Sequence, residues 1–261
     1  MTEGVQSGLG GLVQATQVAR ETAVRRASNG INYAAYGDTH VDPKDLERMV
    51  EAVPTTITAA LQRKHYYFVP LALRESRSSE PTLISPVYTP ELSDQAICHR
   101  NVALGDAEGV FISTRLLGDR FALAFEFFIN AGHAFVDAAG VPESFDQLAW
   151  AQAVADVRGE TSQDAWESRN LALAPEARLG RVDGRLIVDE KARTSFLESS
   201  FSDAVAIYLL SLAIDFDYSE LREREYPLLA PQALAERLRL IAKLFPPNPN
   251  YEFAIRYRRR A

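Results

Sequence analysis

The chain has 261 residues, 47% of them hydrophobic and 24% charged, which is enough to bury an ordinary core and too apolar for a disordered chain. A formal net charge of −7 excludes a general nucleic-acid-binding role, because nothing offsets phosphate repulsion over most of the surface. The single cysteine, Cys98, excludes an internal disulfide and a cysteine-based zinc cluster within the chain, and it fits a reducing compartment.

Residues 1–10 are rich in Gly and Ser and read as mobile. They hold no basic segment followed by an apolar run, and no uninterrupted apolar stretch reaches ~18 residues anywhere. Neither a signal peptide nor a membrane span is expected, and the predicted location is cytoplasmic. From Gly11 on, Leu12, Val13, Ala15, Val18, Ala19 and Ala23 recur at helical spacing and predict a docking helix through Arg26. Asp42 and Pro43 read as the N-cap and first residue of a helix over DPKDLERMVEAV, which Pro54 interrupts before a second helical piece, TTITAALQRK. Residues 1–62 are therefore expected to form an N-terminal helical segment, packed on a domain spanning 63–261.

The pattern changes at His65. The segments 66–73, 82–89, 95–104 and 109–116 are short, rich in β-branched and aromatic residues, and separated by turns, which predicts a small mixed or antiparallel sheet. Pro70 and Pro86 lack an N–H for the ladder and must sit at edges or bulges. Cys98 and His99 are neighbours on a predicted strand, so they point to opposite faces, and Cys98 is read as an ordinary buried thiol.

Next comes a long apolar run from Asp119, a helix-start residue, to Gly140, a stop that tolerates the left-handed turn. Almost all of its circumference must be buried. The exceptions, Glu126, Asn130, His133 and Asp137, fall at i, i+4, i+7 and i+11, within roughly 60° of one another. Such a stripe either faces water or lines a cleft where carboxylate, amide and imidazole meet a polar ligand, a proton or a metal. Its narrowness favours the cleft. Gly132 costs about 1 kcal/mol inside a helix relative to Ala, which predicts that a neighbouring backbone comes close there.

After Gly140, helical segments are expected from Glu143 to Val157 and around SQDAWESRNLAL, followed by a connection or hairpin over 174–186. A long apolar helix from Asp189 to Ile214 is the natural partner of the 119–140 helix. A last helix, ALAERLRLIAKLF, is stopped by PPNPN, EFAIRY alternates as a strand does, and Arg258, Arg259 and Arg260 read as a solvated tail.

The string Ile129-Asn130-Ala131-Gly132-His133-Ala134-Phe135 resembles the H-E-x-G-H-A helix of zincin metallopeptidases, of the type found in the catalytic domain of anthrax lethal factor. Its expected counterpart, a later helix with a carboxylate ligand, is matched by the stretch Glu198 to Tyr208, with Asp203 in place of the second Glu, Ser199 at the ligand position and Glu198 one residue off. The likeness covers roughly residues 105 to 245. It implies an α+β, zincin-like fold: a small twisted sheet, then a buried central helix, then a helical C-terminal half. In that family the two His bind Zn²⁺ and the Glu is the general base. Here Ile129 and Asn130 stand in for the first His and the Glu. Isoleucine cannot ligate and an amide cannot take a proton from water, so the resemblance implies a fold without its peptidase chemistry.

The function expected is thus a non-peptidase binding or scaffold protein with a remodelled polar cleft and a protein or peptide partner. Its candidate residues are Glu126, Asn130, His133 and Asp137, faced by Glu198, Asp203 and Tyr208. No cofactor is expected. The alternative is an enzyme with a metal or acid/base site on Glu126, His133 and Asp137, where a divalent cation would be held by His133 with Glu126 or Asp137.

Overall fold

The computed structural model describes residues 11–73, 81–173, 181–182, 185–186, 188–221 and 226–255. The expectations for residues 1–10 and for the Arg258 to Arg260 tail lie outside these. The protein is α+β, with two compact units: Met1–Glu51 with Gln62–Glu126, and Ala52–Leu61 with Phe127–Ala261.

The first unit begins with β1 (Val13–Gln14), α1 (Ala15–Glu21), β2 (Arg25–Arg26), β3 (Asn32–Ala35) and α2 (Pro43–Glu51). Residues expected to be one helix through Arg26 are therefore strand, helix and strand. The α2 start is as read: Asp42 Oδ1 accepts from the backbone N–H groups of Lys44 (2.8 Å) and Asp45 (3.3 Å). Pro54 separates α2 from α3 (Thr55–Thr58), a short helix of the second unit.

Returning to the first unit, the chain forms β4 (Lys64–Val69), β5 (Leu71–Leu73), β6 (Leu83–Ser85), α4 (Pro90–Ser93), β7 (Ala96–Ile97), β8 (His99–Leu104), β9 (Ala107–Ser113) and α5 (Thr114–Leu117). Two sheets result. One is mixed, in the order β2-β3-β4-β9-β8, with parallel β3-β4 and β4-β9 pairs; the other is antiparallel, in the order β1-β6-β5-β7. Pro70 falls between β4 and β5, where the chain leaves one sheet for the other, and Pro86 follows the end of β6. Ser113 ties the two sheets together: its Oγ donates to the Ile97 carbonyl (2.5 Å) and accepts from the Ala72 N–H (2.8 Å). Tyr67 and Phe111 stack at 4.7 Å within a core that also holds Val18, Val69 and Ile84.

Helix α6 (Arg120–Ala139) opens on Asp119, whose Oδ1 accepts from the Ala122 N–H at 2.6 Å, and stops at Gly140 in the left-handed region (φ 71). Both end signals act as their chemistry predicts. The second unit continues with α7 (Glu143–Val154), α8 (Gln163–Ala172), the short hairpin β10 (Arg181–Val182) and β11 (Arg185–Leu186), α9 (Glu190–Ala213) and α10 (Pro231–Leu244). Ser162 caps α8 and Asp189 caps α9 through their side chains. The strand read over EFAIRY is absent from its described part, 252–255.

Buried along most of its length, α9 is the centre of this unit, and Phe135, Phe145, Phe201 and Phe245 pack on one another beside it. It is the one helix among the described residues long and apolar enough to cross a membrane by length and composition, and 78% of the qualifying stretch is buried inside the protein.

Gly132 has the close neighbour expected of it. A Cβ there would lie 2.6 Å from the Ser202 carbonyl oxygen, so the backbone of α9 crosses α6 at this residue. In the zincins the close neighbour is the sheet; here the nearest atoms belong to a helix. Gly132→Ala should therefore destabilise the protein by about 1–3 kcal/mol, overpacking outweighing the better helix propensity. Urea unfolding checks this, and an unchanged or raised midpoint would show that α9 gives way without cost.

Candidate functional site

The polar stripe of α6 does not form one buried row. Glu126 and Asn130 are partly buried, whereas His133 and Asp137 are exposed. Glu126 Oε1 lies 2.5 Å from His99 Nδ1, with side-chain exposures of 17% and 43%. The partner comes from β8, a residue not included among the candidates, since periodicity cannot report a pair between a strand and a helix 27 positions apart. Cys98, expected to be buried, is exposed; partial burial and the nearby Glu126 carboxylate push its thiol pKa up, which disfavours a nucleophilic thiolate.

Two of the residues expected to face the stripe, Asp203 and Tyr208, bond elsewhere. Glu198 is exposed on α9. Tyr208 is buried, and its hydroxyl donates to the Phe245 carbonyl at 2.7 Å. Asp203 is buried and accepts from Thr161 Oγ1 at 2.9 Å, at the start of α8. Burial raises its pKa to about 7, against the opposing pull of the Ser162 and Thr161 hydroxyls and the Arg237 charge. Among the described residues no three His, Cys, Asp or Glu side chains converge as a metal centre would need.

Asp203 belongs to a polar layer that the sequence reading missed. Arg237, fully buried on α10, donates from Nη1 to Glu160 Oε2 (2.9 Å) and from Nε to Gln152 Oε1 (2.8 Å). Arg169 approaches the other Glu160 oxygen at 3.4 Å and donates to the carbonyls of Val157 (2.7 Å) and Gly159 (3.0 Å). The turn is exacting: Gly159 has φ 81, and a Cβ there would meet the Leu228 carbonyl oxygen at 2.2 Å. This layer joins α7, α8, α9 and α10. It is closed to solvent, and its role is to hold the helices.

The same unit carries an open cleft of about 180 Å³ among α9, the turn after it, α10 and the segment 253–255. Its walls are mostly apolar: Ile207, Ile214, Leu234, Leu238, Phe253 and Ile255, with Asp215 and Tyr218 among the polar members. None of Glu126, Asn130, His133, Asp137, Glu198, Asp203 and Tyr208 lines it. The remodelled cleft read from the stripe was polar; this one is not, because the α9 and α10 residues that line it are mostly aliphatic.

No protein-family model matches the chain, and no curated protein matches it either.

Proposed function

We propose that the protein is a non-peptidase binding module, zincin-like in descent and cytoplasmic, and that it works through the cleft of the helical unit. The cleft carries the reading: it is open, apolar and large enough for one small ligand or an anchoring side chain of a protein or peptide partner. The zincin part rests on the resemblance around His133 and on the order of sheet, central helix and helical half. The loss of peptidase chemistry rests on Ile129 and Asn130, which supply neither ligand nor base.

Purified protein should therefore leave a generic peptide library intact, with or without added Zn²⁺. Chelator-sensitive cleavage would overturn the reading. The enzyme alternative has one observation in its favour, the His99 and Glu126 pair, in which a carboxylate orients an imidazole as general bases require. A site built on Glu126, His133 and Asp137 would also have to bring these groups together, and no three-residue metal cluster is found among the described residues.

A further inference from the structure

We infer that the cleft takes a small organic cation, an apolar body carrying one ammonium group; this rests on the binding reading above. The volume, about 180 Å³, sets the size. An apolar cavity of roughly 150 Å³ lined by Leu, Ile and Phe accepts benzene, so one aromatic ring with a short chain fits here.

Charge decides the class. Among the described residues, Asp215 is the acidic one in the lining, and no Lys, Arg or His lines the cleft. The other polar lining groups are satisfied within the protein. Ser211 Oγ donates to the Tyr208 carbonyl at 2.6 Å, and the Tyr218 hydroxyl donates to the Leu229 carbonyl at 2.5 Å. Asp215 is exposed and has no hydrogen-bond or ion partner among the described residues, which leaves its carboxylate as the polar group available to a ligand. Glu220, exposed on the same turn and accepting from the Asp217 N–H at 2.5 Å, adds negative charge. Arg158 acts on the Tyr218 phenol, whose pKa burial raises, but it is not part of the lining. An anion entering the cleft would be repelled, and a neutral ligand would gain no ion pair with Asp215. An ammonium group meets the carboxylate in a charge-assisted hydrogen bond, with the rings of Phe216, Tyr218 and Phe253 as further cation-attracting faces.

The experiment titrates full-length protein with 2-phenylethylamine and with its neutral analogue 2-phenylethanol, by calorimetry and by amide NMR shifts. The amine should bind about tenfold more tightly, the difference falling as salt is raised. Asp215→Asn should bring the two affinities together while leaving the alcohol's unchanged. Ala254→Trp, at an exposed lining residue where folding is not at stake, should abolish both. Equal affinities in the native protein, or a preference that survives Asp215→Asn, would overturn the cation inference and leave the cleft as a binding site. Failure of both ligands to bind, or binding indifferent to Ala254→Trp, would overturn the binding reading with it.

Discussion

Replacing Arg237 by Met should lower unfolding free energy by about 3–5 kcal/mol, the cost of leaving one member of a buried ion pair alone. Arg237 is fully buried and Glu160 is 1% exposed, so neither can turn to water when its partner is lost. Methionine matches the length of the arginine stem and removes the charge, which isolates the electrostatic loss from cavity formation. What remains for Glu160 is Arg169 at 3.4 Å, a longer contact already shared with the Val157 and Gly159 carbonyls. Gln152 also loses the donor to its Oε1. Adding Glu160→Gln should recover part of the loss, because an amide is far cheaper to bury than an unpaired carboxylate. Urea unfolding of the native protein and both variants measures this, and a loss below about 1 kcal/mol in the single variant would show that water reaches Glu160.

Asp203 should make the helical unit less stable as pH rises through neutrality. Its carboxyl pKa is raised from 3.8 to about 7, chiefly by burial, with Asp164 pushing the same way and Ser162, Thr161 and Arg237 opposing. Between these two values the folded protein keeps a proton that the unfolded chain has released. Stability from this group is therefore fully present below about pH 4, falls as pH rises, and is lost above about pH 7, when a carboxylate is confined in the core. The full drop is on the order of 4 kcal/mol. Asp203→Asn keeps an oxygen for the Thr161 hydroxyl and never ionises, so the variant should gain on the native protein steadily from pH 4 to pH 8. Unfolding midpoints of the two proteins across that range give the comparison. A constant difference would mean that Asp203 stays ionised throughout and that its hydroxyl partners outweigh burial.

Helix ends were legible in the residues because their chemistry is local. Asp42, Asp119 and Asp189 cap through bonds to N–H groups two or three residues on, and Gly140 takes the left-handed turn that stops α6. The pairing of α6 with α9 was legible too, through the apolar circumference of both helices and the glycine at position 132. Strand β3 was not. Its four residues, Asn32–Ala35, carry little periodicity and become a strand by pairing in parallel with β4, more than thirty positions away. The stripe shows the same limit. A 3.6-residue period places Glu126, Asn130, His133 and Asp137 on one face but says nothing about what covers each, and the structure gives partial burial to the first two and exposure to the others. Arg237 is the clearest case: in ALAERLRL it reads as a solvated helix residue, and it is buried because Glu160, 77 positions earlier, neutralises it. Sequence determined what each segment could do with its own neighbours, while tertiary structure decided which charges leave water, since the partner that makes burial affordable lies far away along the chain.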